Sequence, residues 1–113
     1  MTTDASGTKP PAYLMGRSEA ETRRLIAQHQ LYSRFTRRLL EDAGIAEGMK
    51  VLDVGSGAGD VALLAAELVG PTGSVVGVDQ DPGVLDTARA RAEASGRTNV
   101  SFHWRPERRR HRR

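Results

Sequence analysis

The chain has 113 residues, of which 38% are apolar and 27% charged, enough for one domain but not two; the absence of cysteine excludes a disulfide framework, a thiolate metal site and a thiol nucleophile. No apolar run approaches the ~20 residues of a membrane span, and the stretch from Met1 to Pro11 has neither the basic start nor the apolar core of a secretion signal, so a cytoplasmic chain is expected. The net charge of +3 is unevenly placed: residues 105–113 hold six Arg and one Glu, whereas the rest holds 11 basic and 13 acidic side chains, so basicity describes the tail, and nucleic acid is not an expected partner.

In chain order, residues 1–17 contain Gly7, Pro10, Pro11 and Gly16 with no helical or strand period, which predicts a flexible arm. Ser18 followed by Glu21 forms a capping box and opens a helix. Leu25, Tyr32, Phe35 and Leu39, supported by Ile26 and Leu40, recur at helical spacing, so Tyr32 and Phe35 are expected to pack in the core, and Gly44 ends the helix. From Lys50 the pattern changes to a short apolar run, Val51 to Val54, that predicts a buried parallel strand running into the glycine cluster Gly55, Gly57, Gly59. Val61 to Val69 is helix-forming and stops at Gly70 and Pro71; Ser74 to Val78 is a second strand, ended by Asp79. Asp81, with Pro82 behind it, caps a third helix that continues through Leu85, Ala88 and Ala92 to Gly96. Asn99 to His103 is a short third strand. Strand, helix, strand, helix, strand predicts an α/β fold with a parallel sheet.

Two right-handed crossovers running in one direction put both helices on one face of the sheet. Leu52 and Val54 alternate with Val51, and Val76 and Val78 with Val75, so both faces are apolar and one is expected to lack cover. The first strand is then an edge. A marginal or self-associating protein follows, with association through the exposed sheet edge.

The glycine turn between a strand and a helix lets a ligand press on backbone while the amides of the helix start face its polar groups. Asp79, about 20 residues on, stands where a carboxylate accepts both hydroxyls of a ribose. A dinucleotide fingerprint would need glycine at position 60, where Asp60 stands, so a pyrophosphate ligand is disfavoured.

Val51-Leu-Asp-Val-Gly-Ser-Gly-Ala-Gly59 resembles the first motif of class I S-adenosylmethionine-dependent methyltransferases, and Val-Gly-Val-Asp79 is similar to their acidic second-strand motif. The likeness covers roughly residues 45–103, with the preceding helix resembling the family's lid helix. It implies a partial Rossmann-like methyltransferase fold over residues 18–103: three parallel strands with helices, preceded by an N-terminal helix. S-adenosyl-L-methionine is the implied cofactor. Asp53, Gly55, Ser56, Gly57 and Gly59 would surround its methionine end, Asp79 would hold the ribose, and Gln80 would lie beside the adenine. The implied activity is methyl transfer to a small-molecule acceptor, with no catalytic base assigned in this half.

After the third strand the resemblance stops. An acidic turn that binds the adenine amine is due there, but the chain has Trp104, Arg105, Pro106 and Glu107. Residues 104–113 are expected to be a disordered arginine-rich tail, created by truncation or a shifted reading frame, and the chain is expected to carry the cofactor-binding half without catalysis of its own. The alternative reading is a non-catalytic fragment, or a polyanion-binding module that uses the tail. His29, His103 and His111 show no metal-ligand spacing, and a base-stacking role for Trp104 is not the expected one.

Overall fold

The computed structural model describes residues 18–107. The expected arm at 1–17 and residues 108–113 of the expected tail lie outside them. The elements are α1 (Glu19–Asp42), β1 (Lys50–Val54), α2 (Asp60–Val69), β2 (Ser74–Asp79), α3 (Pro82–Ala94) and β3 (Val100–Trp104). The strands form a parallel sheet in the order β1-β2-β3, which is the α/β architecture expected from the sequence.

Two compact units divide the chain, one ending at Phe35 and one beginning at Thr36. In the first, the Ser18 hydroxyl oxygen accepts from the Glu21 amide at 3.1 Å and donates to Glu21 Oε1 at 3.2 Å. The cap therefore forms, with the glutamate carboxylate meeting the hydroxyl. The expected core role of Tyr32 and Phe35 is corrected: they are 53% and 62% exposed, beside exposed Leu31. Helical spacing establishes that such residues share a face, but it carries no information about what covers that face.

In the second unit α1 presents Thr36, which is buried, and Leu40, which packs on the core, while Leu39 is exposed. Arg37 pairs with Glu67 of α2 at 2.7 Å. The helix ends as predicted at Gly44, whose φ of 96° allows the Ile45 amide to reach back to the Leu40 carbonyl at 3.0 Å.

The core lies between α2, α3 and one face of the sheet. Ala62, Ala65, Ala66 and Val69 of α2 and Leu85, Ala88 and Ala92 of α3 meet Val75 and Phe102. Five alanines let the helices sit close to the strands, and Phe102 fills the remaining space. Room for that ring comes from Gly77, where a Cβ would lie 2.7 Å from Phe102 Cδ1. The Asn99 side chain donates to the carbonyls of Ala66 and Gly70 at 2.8 and 2.9 Å, so the residue that precedes β3 satisfies the end of α2.

Within the second unit, among the described residues, the other face is open. Register puts Leu52 beside Val76 and Ser101, and Val54 beside Val78 and His103. Leu52 is 63% and Val54 75% exposed, so the reading of β1 as a buried strand is corrected to a strand covered on one side only. Val51 and Asp53, on the helix side, are half-buried.

Candidate functional site

The site sits at the carboxyl ends of β1 and β2, where the chain leaves the sheet for α2 and α3. Gly55, Gly57 and Gly59 take φ values of 73°, 55° and 92°, a left-handed sequence that only glycines follow without strain. The turn is tied to β2 by its own backbone: the Gly55 and Ser56 amides both donate to the Val78 carbonyl, at 2.8 and 2.9 Å. The Gly57 amide donates to Asp79 Oδ2 at 2.9 Å. These three amides thus organise the turn and do not face a ligand. The groups that remain are those of the first turn of α2, whose N-cap, Gly59, offers no side chain and receives no side-chain cap.

Two features of this surface bear on what it could hold. A Cβ at Gly55 would meet nothing within 4 Å, and one at Gly57 would meet only Val84 Cγ1 at 3.9 Å, so the space over the turn is open. Beneath it, Asp53 Oδ2 and Ser56 Oγ are buried with no hydrogen-bond partner among the described residues, and buried polar atoms left so are normally paired.

Electrostatics distinguish the two carboxylates. Burial, and then the like charge of Asp79, push the Asp53 carboxyl above its usual range. The Asp81 amide, then the Gly57 amide, hold Asp79 below its usual range. Asp79 is therefore an anion fixed by backbone donors, and Asp53 is an acid with no cation paired to it among the described residues. A ligand with an ammonium beside Asp53, a carboxylate at the α2 amides and a diol at Asp79 complements all three; the methionine end and ribose of S-adenosylmethionine have those groups.

Of the residues singled out in the sequence, Asp53, Gly55, Ser56, Gly57, Gly59 and Asp79 come together at this corner. Gln80 follows Asp79 and is exposed; its carbonyl accepts the Trp104 indole N–H at 2.9 Å. The expected strand boundary at 103/104 moves by one residue. Trp104 ends β3 in register with Asp79, and the Arg105 amide donates to the Asp79 carbonyl at 2.9 Å. The sequence pattern marks neither Trp104 as part of the sheet, since a lone aromatic before Arg-Pro carries no period, nor Arg91 as part of the site. Arg91 Nη1 lies 2.6 Å from the Ala58 carbonyl and 2.8 Å from Asp60 Oδ1. This ion pair places a cation beside Asp60 at the start of α2. Among the described residues, no three His, Asp or Glu side chains cluster to hold a metal; His103 meets Ser101 Oγ at 3.0 Å on the open face.

Residues 45–106 match the family described as the methyltransferase domain. Over 60 residues the chain is 47% identical to the arsenite methyltransferase of Halobacterium salinarum, covering 53% of this chain and 15% of that protein. Over 58 residues it is 47% identical to a protein-L-isoaspartate O-methyltransferase of Methanothrix thermoacetophila, covering 51% of this chain and 28% of that one. The crystal structure of a SAM-dependent methyltransferase from Aquifex aeolicus superposes with a TM-score of 0.61 at 32% identity, covering 64% of this chain and 38% of that one. The chain thus spans less than a third of the length of these two curated relatives. No helix among the described residues is long and apolar enough to cross a membrane. Strand order, glycine turn, acidic strand end and family match agree: the chain belongs to the class I S-adenosylmethionine-dependent methyltransferases.

Proposed function

We propose that this chain carries the cofactor-binding part of a methyltransferase that acts on a small-molecule acceptor in the cytoplasm. The observation that carries the reading is the bond from the Gly57 amide to Asp79 Oδ2, which joins the glycine turn and the ribose-binding acid in one unit. Asp53 and Ser56 would meet the ammonium of the methionine end, the first turn of α2 its carboxylate, and Asp79 the ribose hydroxyls through lone pairs that the two amides leave free. Gln80 would border the adenine. When bound, S-adenosylmethionine supplies an electrophilic methyl group on a sulfonium sulfur. Gly55 and Gly57 leave the backbone surface bare so that the cofactor chain can lie against it, and the anions Asp53 and Asp79 hold its two ends. Methyl transfer is a displacement governed by alignment, so fixing one reactant at several points contributes most of what this part can supply.

The acceptor class has support in the arsenite methyltransferase, named for a small acceptor. The short span of the relatives supports the reading of a partial domain. The edge of β1 and the apolar face beside it, both uncovered among the described residues, support self-association. Calorimetric titration of S-adenosylhomocysteine into the parent and into Asp79→Ala tests the core of this proposal. Binding by the parent and a loss of about a hundredfold or more in the variant are expected, and equal binding by both overturns the site.

A further inference from the structure

Asp79 fixes the glycine turn from the β2 side; the opposite side is held by a residue of α3. Arg91, in the last turn of α3, sends one guanidinium nitrogen, Nη1, to the Ala58 carbonyl at 2.6 Å and to Asp60 Oδ1 at 2.8 Å. Its two hydrogens have two acceptors, one on each side of Gly59. Arg91 is about one-third exposed and Asp60 half exposed, so the ion pair itself contributes little. The bond to the carbonyl is different in kind. It fixes one peptide plane in a segment whose glycines on either side have φ values of 55° and 92°, and glycine segments lose the most freedom on ordering.

We propose that Arg91 is a positioning residue for the methionine end of the cofactor: it holds the Ala58 peptide so that the first-turn amides of α2 are aimed before the ligand arrives. This rests on the cofactor reading above and deepens it. The prediction is directional, because Arg91 supports the part of the site that takes the amino acid, and Asp79 the part that takes the nucleoside. Loss of Arg91 therefore lowers affinity for a ligand that has the amino-acid end and spares one that lacks it. Arg89 provides the internal control. It lies two residues away on the same helix but binds the Phe102 carbonyl, at 2.6 and 3.2 Å, and Asp86, so its loss loosens α3 from β3 without touching the turn.

The experiment is calorimetric titration of S-adenosylhomocysteine and of 5′-methylthioadenosine into the parent, Arg91→Ala, Arg91→Lys and Arg89→Ala. Arg91→Ala is expected to weaken S-adenosylhomocysteine about tenfold, as expected for one charged hydrogen bond, and to leave methylthioadenosine within about twofold; Arg91→Lys should recover part of the loss. Arg89→Ala should shift both ligands together or neither. An unchanged ratio of the two affinities in Arg91→Ala, with the parent binding both, overturns this proposal alone. A parent that binds neither ligand overturns the cofactor reading, and this proposal with it. Hydrogen exchange over residues 55–63 guards against misreading a folding defect: it should quicken in Arg91→Ala with the exchange of β2 unchanged, and quickening throughout the sheet counts against a positioning role.

Discussion

Asp79 accepts the Gly57 amide on one carboxylate oxygen and the Asp81 amide on the other, both at 2.9 Å. Asp81 in turn accepts the Gly83 amide and caps α3. One carboxylate at the end of β2 thus links the glycine turn to the start of α3, so the acid proposed to hold the ribose also shapes the corner in which it sits.

On the proposed site, Asp79→Ala removes the ribose acceptor and loosens the turn together. Its affinity for S-adenosylhomocysteine should fall by about a hundredfold or more, since more than one charge-assisted hydrogen bond is lost. Asp79→Asn keeps one carbonyl oxygen for one of the two amides and should retain measurable binding. Calorimetry ranks the three proteins; a variant order with Asn below Ala would contradict this account of the corner.

Asp53 gives a prediction of opposite sign for stability and for binding. Its carboxyl is raised by burial and by Asp79, so the folded state holds that proton more tightly than the unfolded chain does. Ionised Asp53 therefore costs stability, and the cost disappears as pH falls through its raised pKa. Asp53→Asn should melt a few degrees higher than the parent at about pH 7, with the gap closing toward about pH 4. The same variant should bind the cofactor about tenfold more weakly, having lost the anion that faces the ammonium. Asp79 behaves in the reverse way: its pKa is lowered, so its stabilisation is present above the ordinary carboxylate range and fades as pH drops through the lowered value. Melting curves at both pH values, with and without S-adenosylhomocysteine, separate the two.

Two glycines should respond differently to the same change. A Cβ at Gly77 would lie 2.7 Å from Phe102 Cδ1 and 2.9 Å from Ser56 Cβ, and Phe102 is buried. Gly77→Ala should cost about 1 to 3 kcal/mol by overpacking, measured by urea denaturation. Gly55→Ala meets nothing, and its cost comes from the positive φ alone, about 1 to 2 kcal/mol. Equal binding by Gly55→Ala and the parent would mean that no ligand lies over the turn.

The bare sheet face predicts concentration-dependent association. Leu52, Val54 and Val76 are exposed side by side, an apolar patch next to a strand edge that is unpaired among the described residues. Leu52→Lys with Val54→Thr should shift sedimentation toward monomer. A parent that sediments as a single monomer and melts in one sharp transition would refute this reading.

Legibility in the sequence followed the range of the interactions. Strand β1, the glycine turn, the acid at the end of β2 and the Asp81 cap are each set by residues adjacent in the chain, and the sequence predicts them closely. The element boundaries differ by a residue or two, as with Asp60 joining α2 and Trp104 joining β3. What the pattern could not show is which groups meet across the fold. Arg91 reaches Ala58, 33 residues away, and Asn99 reaches Ala66 over the same interval; a side chain that seeks a carbonyl leaves no period. Tyr32 and Phe35 illustrate the opposite error, where a clear period was present and the covering surface was not.

Trp104 is the only tryptophan of the chain, and its indole N–H rests on the Gln80 carbonyl at the rim where β2 and β3 end. Emission excited at the red edge of the indole band, where the two tyrosines do not absorb, is therefore a report from one place, half exposed and half against the sheet. Parting of β3 from β2 frees the indole to solvent and moves its emission to longer wavelength, whereas changes confined to β1 and the open face leave it still. A single optical signal can in this way separate parting of β3 from β2 from changes on β1 without any added label.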